Sequence, residues 1–324
     1  MKAILINDDK ALNWSTCEDP TMGADEVTIT VKATAVNRAD LMQIAGLYPP
    51  PPGASDILGL ECSGVIEAVG DAVTEWQVGD KVCALLAGGG YAEKVVCKAS
   101  HCLPIPNGFS FNQAAALPEV FATAWLNIFM EAGIQTAEPV LIHAGASGVG
   151  TAAIQLCNAF DNPCFVTVGS GDKLEQCIAL GAQAGHIRHD GDFIDAAKAF
   201  SKGKGFKAIL DPVGGQYLES NLKSLATDGA LVIIGLMGGR SANLDIGRLL
   251  VKRLRVIGST LRSRSDHSKA QVIAELRQKV WPLFDTQTLK PIIDQEFAIA
   301  DAAEAIKEIQ SNQTVGKVVL EIPS

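Results

Sequence analysis

The sequence predicts an α/β protein, a doubly wound parallel sheet joined to a second, β-rich domain. Three features of the chain lead there. Up to about residue 100 it breaks into short β-rich runs divided by Gly/Asp turns. From near residue 110, apolar runs without strict alternation take turns with helical patterns, as expected of strands buried on both faces. A small-residue turn, Ala144-Gly145-Ala146-Ser147-Gly148-Val149-Gly150, stands between the first of those runs and the helical stretch after it. The chain has 324 residues, 48% hydrophobic and 19% charged, which excludes disorder. At roughly 100–200 residues per domain it has room for two cores.

Taken in order, Met1-Lys2-Ala3-Ile4-Leu5-Ile6 is a first strand, too short for a signal peptide. Residues 26–36 are rich in Val, Ile and Thr, and 62–69, 81–86 and 91–98 are further strands. Gly70-Asp71, Gly79-Asp80 and Gly88-Gly89-Gly90 punctuate them, a spacing that suggests a small barrel or sandwich. Pro49 to Pro52 with Gly53 is neither helix nor central strand; it is a stiff loop able to wall a cleft. Ser110 with Gln113 is a capping box opening an Ala-rich helix, which Pro118 interrupts; 119–132 continues as a second helix closed by Gly133. Strands are then expected at 140–144, 165–168, 208–211, 230–235 and 255–259. Helices are expected at 149–159, 173–180, 193–200, 217–225 and 244–252. A long helix over about 268–284 closes this βαβ series. Asp301 and Glu304 cap a last helix before a strand at 318–322.

The net charge of −9 argues against nucleic acid or an anionic membrane as the main partner. No apolar run approaches the length of a membrane span. The eight cysteines are scattered singly with no C-x-x-C pair, which reads as reduced, mostly buried thiols of a cytoplasmic protein.

The turn at 144–150 carries the chemistry. Small residues let the backbone approach an anion, and the free N–H groups of a helix N-terminus point at it, so strand, turn and helix together suit a dinucleotide pyrophosphate; the alternative is a tight turn needed only for packing. Ser147 replaces the middle glycine of the usual pattern. The second strand ends at Val168-Gly169-Ser170-Gly171-Asp172-Lys173. An NAD site usually places an acid here, about 20 residues past the glycines. Gly169, 19 positions after Gly150, is no acid. Ser170 and Lys173 suit the 2′-phosphate of NADPH, with Asp172 as a contrary charge. The alternative is that Ser170 only caps the helix and Lys173 is a solvated surface residue.

With these residues in place, the chain resembles the zeta-crystallin-like quinone oxidoreductases of the medium-chain dehydrogenase/reductase superfamily over essentially its whole length. The matching stretches are Val36-Asn37-Arg38-Ala39-Asp40, Gly46 to Gly53 with Tyr48 before the prolines, Leu58 to Gly64, Val78 to Val82, His143 to Gly150, Gly235 to Gly239 and Val315-Gly316-Lys317. The resemblance implies a GroES-like catalytic domain from residues 1–117 and 285–324, with a Rossmann NADPH-binding domain at 118–284 inserted. It implies NADPH in a cleft between them and a homodimer formed through the edge strand at 255–259.

The zinc enzymes of the superfamily have a Cys where this chain has Asn37 and a His where it has Leu60, and neither Asn nor Leu is a usual zinc ligand. The Cys-rich structural lobe is missing as well. Cys97, His101 and Cys102 lie close in sequence but have no evident fourth ligand, so no metal is expected. Hydride transfer without a metal needs an acceptor that is already electrophilic, and a small quinone suits. Tyr48 is the candidate proton donor, since a phenol can hydrogen-bond an oxygen on which charge develops. The alternative is a tyrosine that packs the loop or positions NADPH. Asn37 is implied near the nicotinamide and acceptor. Ser147 bonds the pyrophosphate, reaches the nicotinamide region, or is purely structural.

The resemblance further implies cofactor contacts from Ser147, Gly148, Val149, Gly150 and Gly169, and from Gly235, Leu236 and Met237 after the fifth strand. It adds Leu261 and Arg262 after the sixth strand, and Asn312 in the tail. Many relatives have a tyrosine where this chain has Arg188, which either pairs the 2′-phosphate or points to solvent. The expected function is NADPH:quinone reduction. The rivals are reduction of α,β-unsaturated carbonyls on the same scaffold and a structural or regulatory role that binds NADPH.

Overall fold

A computed structural model describes residues 1–7 and 9–323. The chain divides into two compact units, Met1–Ala122 with Leu261–Ser324, and Thr123–Thr260.

The first unit opens with an antiparallel pair, β1 (Lys2–Ile6) and β2 (Leu12–Thr16). There follow β3 (Glu26–Ala35), α1 (Arg38–Ile44), β4 (Glu61–Val69), β5 (Lys81–Leu85), β6 (Lys94–Lys98), β7 (Cys102–Pro104) and α2 (Phe111–Ala115). Helix α3 (Pro118–Trp125) carries the chain into the second unit. Strand β3 shows why the unit folds as it does. Val27, Ile29 and Val31 alternate inward and are buried, while Thr28, Thr30 and Lys32 between them are partly exposed. The capping box at Ser110 forms as expected, with Ser110 Oγ accepting from Gln113 N and Gln113 Oε1 accepting from Ser110 N.

The second unit holds β8 (Val140–His143), α4 (Gly148–Ala159), β9 (Cys164–Val168), α5 (Gly171–Ala179), β10 (Ala184–Ile187) and α6 (Ile194–Phe200). It continues with β11 (Phe206–Asp211), α7 (Leu218–Ser224), β12 (Leu225–Ile233), α8 (Ile246–Val251) and β13 (Arg255–Gly258). Its six strands are all parallel, in the order β10-β9-β8-β11-β12-β13. Beginning at β8 this is the 3-2-1-4-5-6 order of a doubly wound dinucleotide fold, with the order reversing between β8 and β11. Leu141, Phe165, Ile209 and Leu231 on adjacent strands form its buried centre.

The chain re-enters the first unit at Leu261, earlier than the boundary at 285 that the resemblance implies. Packing explains the difference. Trp281 Nε1 donates to Pro104 O (2.7 Å), and the Phe284 ring meets Phe109 and Phe121 edge-on at 5.8 and 5.0 Å. The long helix expected at 268–284 is interrupted: α9 (Asp266–Glu275) runs into a π-helical turn at Leu276–Val280 before α10 (Pro282–Asp285). Last come β14 (Ile293–Ala298), α11 (Ala302–Ser311) and β15 (Lys317–Glu321). Strand β15 lies antiparallel to β3, with Val319 opposite Ala35, and completes the sheet β14-β15-β3-β4-β5-β7, with β6 also on β3. The N-terminal sheet is thus finished by the C-terminal strand.

Candidate active site

In the second unit, loops at the carboxyl ends of the parallel strands gather most of the expected nucleotide residues. A Cβ on Gly150 would lie 2.5 Å from both Ala144 O and Gly145 O, and one on Gly145 would lie 2.8 Å from Val166 Cβ. Only glycine fits either place, so the turn seats tightly against β9 and its own start. Ser147 is the N-cap of α4, its Oγ accepting from Gly150 N at 3.1 Å. The N–H groups of Gly148 and Val149 have no acceptor among the described residues. Two free donors and the positive end of a 12-residue helix make a place for a pyrophosphate, so the residues present fit a dinucleotide.

Beyond β9, Ser170 caps α5 by accepting from Lys173 N (3.4 Å), and Asp172 lies in the same first turn. Arg188 follows β10 and lies over Gly169, its guanidinium 3.8 Å from where a Cβ of that glycine would be. Gly169, Ser170, Lys173 and Arg188 are therefore neighbours. Beyond β12, Gly235 packs under Pro212 O, and Met237 N donates to the same oxygen at 3.2 Å. That turn presents Leu236 and Met237 to solvent, 57% and 47% exposed.

Beneath these loops lies a polar relay centred on His143. His143 Nδ1 meets Thr167 Oγ1 at 2.8 Å and Nε2 meets Asn221 Oδ1 at 2.7 Å, while Asn221 Nδ2 donates to Asp211 Oδ2 at 3.0 Å. Because the Asn221 amide gives its hydrogen to Asp211, its oxygen faces His143. The proton is therefore on Nε2, and Nδ1 accepts from Thr167. Asp211 Oδ1 accepts from Val213 N and Gly214 N, fixing the loop after β11. Burial pushes His143 down to about 4 and Asp211 up to about 6.

In the first unit, Asn37 caps α1 and is 7% exposed. Its Nδ2 donates to Ala35 O (3.2 Å) and Glu61 Oε1 (3.0 Å), and its Oδ1 accepts from Lys317 Nζ (2.7 Å). Both amide hydrogens are committed, so Asn37 can offer a ligand only the remaining lone pair of Oδ1. Lys317 Nζ also bonds Val36 O (2.8 Å) and pairs with Glu61 Oε1 (2.7 Å). Asp40 is fully buried, accepts from Asn37 N, Gly59 N and Tyr91 Oη, and is pushed up to about 6 by burial. Nothing in the sequence reading singled out Glu61, Asp40, Tyr91 or Lys317 as a network. The available signal was a charged residue inside or beside an apolar strand, as in Leu60-Glu61-Cys62 and Lys317-Val318-Val319.

Tyr48 is half-buried on the turn before the proline loop. Arg262 Nη1 donates to its backbone oxygen (3.3 Å), and the guanidinium lies 5.5 Å from the centre of its ring. The phenol hydroxyl has no partner among the described residues. Burial raises its pKa, with Arg262 acting against that and Glu119 adding to it. Leu261 is buried. Asn312 is the left-handed cap of α11, its Oδ1 accepting from Arg38 Nη2 at 2.6 Å.

A doubly wound sheet whose glycine turn leaves helix donors free has the make-up of a dinucleotide-binding unit. Two family models match the chain: an alcohol dehydrogenase GroES-like domain over residues 23–107 and a zinc-binding dehydrogenase over 148–278. The quinone oxidoreductase of Pseudomonas syringae is 30% identical, with each chain 99% covered and a TM-score of 0.86. That of Escherichia coli, solved in complex with NADPH, is 26% identical over 99% of this chain and 98% of that one, with a TM-score of 0.87. The CurK enoyl reductase is 28% identical, with 99% of each chain covered and a TM-score of 0.86. The synaptic vesicle membrane protein VAT-1 homolog of Danio rerio is 31% identical over 93% of this chain, which spans 65% of that protein's length. This chain belongs to the medium-chain dehydrogenase/reductase superfamily and has quinone-oxidoreductase-like relatives. No helix among the described residues is long and apolar enough to cross a membrane.

The relay predicts opposing pH effects on stability. Between about 6.5 and about 4 the unfolded chain protonates His143 and the native state does not, so this residue lowers stability as pH falls through that window. Asp211 does the reverse: below about 6 the native carboxyl takes a proton that the unfolded one takes only near 3.8, so acidification stabilises. In urea titrations from pH 7 to pH 4, His143→Gln should therefore gain stability relative to wild type and Asp211→Asn should lose it. Parallel curves for all three proteins would contradict the relay.

Proposed function

We propose that this chain is an NADPH-dependent reductase of small quinones that works without a metal. The observation that carries this reading is the Tyr48 hydroxyl, held on a stiff turn with no partner of its own. The bound nicotinamide supplies the hydride. The chain's own residues do the rest. Gly148 and Val149 N–H hold the pyrophosphate, with Ser147 fixing the turn. Gly169 gives room at the end of β9, where Ser170, Lys173 and Arg188 receive the 2′-phosphate. Gly235, Leu236 and Met237 border the nicotinamide, and Asn37 Oδ1 accepts from it. Tyr48 Oη donates to the acceptor oxygen as negative charge builds there. The likeness to CurK favours a second reading, reduction of α,β-unsaturated carbonyls, whose acceptor oxygen needs the same donor. In either case the site of action is the cytoplasm, which suits seven buried free thiols among the eight cysteines.

NADPH consumption against a panel of quinones and enones separates the two readings, and absence of turnover with both would overturn them together. Tyr48→Phe should lower kcat about tenfold or more with little change in KM for NADPH, because the phenol acts in the transition state. An unchanged kcat would return Tyr48 to a packing role.

Charge-assisted bonds are worth about 1.5–3 kcal/mol each, and about 1.4 kcal/mol is tenfold in affinity. Lys173→Ala should thus raise KM for NADPH about tenfold and leave NADH use nearly unchanged. Equal weakening of both would show that Lys173 does not read the phosphate.

We also propose a homodimer. Strand β13 is one open edge of its sheet, and in α8, which precedes it in the chain, Ile246, Leu250 and Val251 are 70%, 76% and 77% exposed. A second copy would cover this edge and the apolar side chains of α8. Leu250→Glu should convert the sedimenting species from dimer to monomer. A wild-type monomer at micromolar concentration would refute it.

A further inference from the structure

Arg262 is a buried cation with no ion-pair partner among the described residues. It is 4% exposed, and its three hydrogen bonds go to neutral acceptors: Nε to Ala87 O (2.7 Å), Nη1 to Tyr48 O (3.3 Å) and Nη2 to Gln43 Oε1 (2.7 Å). No carboxylate lies within ion-pair distance of it among the described residues. Lys317, buried to the same 4%, shows the contrast, because Glu61 stands 2.7 Å from its ammonium. A buried cation without a counter-ion is costly unless an anion arrives or develops beside it. The group that Arg262 faces is the Tyr48 ring, 5.5 Å away.

We propose that Arg262 is the positioning residue of the Tyr48 phenol: it pins the turn through the backbone and stabilises the negative charge that Tyr48 gains on giving up its proton. This rests on the reading of Tyr48 as donor. In that step the Tyr48 O–H bond breaks, an O–H bond forms on the acceptor oxygen made anionic by the hydride, and the phenolate regains a proton from water. Three acceptors from separate segments, Gln43 on α1, Tyr48 on the turn and Ala87 beyond β5, are gathered by one rigid fork, which lysine cannot reproduce. Among the charges facing the two residues, Arg262 favours the phenolate and Glu119 opposes it, while Asp40 and Lys269 act on Arg262 with opposite signs. The role differs from the direct cofactor contact that family resemblance implies for Arg262.

The test reads the phenol itself. Tyr48 is replaced by 3,5-difluorotyrosine, whose hydroxyl ionises near neutrality, and its ¹⁹F shift is followed against pH in the full chain. Arg262→Gln should raise the ionisation midpoint by about one pH unit, a tenfold change in the ionisation constant. In the unlabelled protein it should lower kcat about tenfold with KM for NADPH within about twofold. Tyr48→Phe/Arg262→Gln should be no slower than Tyr48→Phe alone. An unmoved midpoint, additive losses in the double variant, or a raised KM for NADPH at unchanged kcat would each overturn the proposal. Arg262→Lys serves if the glutamine variant does not fold. It keeps the charge and loses the fork, so the midpoint should hold while kcat falls several-fold, and a full kcat would overturn the positioning role. A shifted midpoint together with an unaffected Tyr48→Phe enzyme would support the hold of Arg262 on the phenol and overturn the donor reading instead.

Discussion

The buried ion pair of Lys317 and Glu61 is the contact on which the first unit depends. Two charges 4% and 0% exposed would be prohibitive if left bare, and here neither is. The ammonium has three hydrogens and three acceptors, in Val36 O, Asn37 Oδ1 and Glu61 Oε1. The carboxylate takes Asn37 Nδ2 and Lys317 on one oxygen and Glu119 N, at the start of α3, on the other. Removing one partner of such a pair typically costs about 3–5 kcal/mol, because the other charge is stranded, whereas a pair of apolar residues could fill the same volume as stably. The pair therefore specifies an arrangement more than it adds stability. It ties the beginning of β15 to the end of β3 and the beginning of β4, so a sheet assembled from both ends of the sequence closes in one register. The same contact dictates what Asn37 can do, since an amide held on three sides keeps only one lone pair.

The second unit solves the same problem with neutral groups. His143 is kept uncharged by burial, and its tautomer is set by Asn221, whose own orientation is set by Asp211. Each end of the relay reaches a loop or strand at the switch point: Thr167 on β9 and the backbone after β11. The nucleotide loops are thereby positioned from below by hydrogen bonds and from the side by glycines that admit no Cβ. Precision in both units comes from fully satisfied polar networks under the loops, while the loops themselves keep their donors free.

These differences in construction explain what the sequence made visible. The five apolar runs of the doubly wound sheet and the glycine turn were legible because strands buried on both faces and a helix N-terminus leave local patterns. Strand β10 was absent from those runs because Ala184-Gly185-His186-Ile187 is only half-buried and short. Strands β2, β7 and β14 and helix α1 were missed for related reasons. β7 has three residues, and β14, Ile-Asp-Gln-Glu-Phe-Ala, is an exposed edge. The positions of Tyr48 and Asn37 were suggested by family resemblance, but their partners were not. Arg262 acts on Tyr48 from 214 residues away and Lys317 on Asn37 from 280, and no window of sequence carries such a pairing. The return to the first unit at Leu261 is hidden in the sequence, because a helical run over 268–284 reads as one more helix of the βαβ series. The feature that assigns it, Trp281 and Phe284 against Pro104, Phe109 and Phe121, is tertiary.

One of the matching families is described as zinc-binding, which sharpens the question of how an acceptor is activated here. The donor set around Asn37 is unsuited to a divalent ion. The amide oxygen is already bonded to an ammonium 2.7 Å away, the neighbouring carboxylate is paired with the same ammonium, and Leu60 offers no donor. Among the described residues no group of three or more His, Cys, Asp or Glu is disposed to hold a metal. A cation brought to this place would meet the charge of Lys317 at close range in a medium that screens poorly. In the proposed reading, electrophilic assistance falls to a phenol, a far weaker polariser than a metal ion, backed by the charge of Arg262. Such assistance suffices where the acceptor is already electron-poor, as a quinone or conjugated carbonyl is. In that proposed reading, the place a metal would take is held by Lys317, and assistance to the acceptor is left to Tyr48.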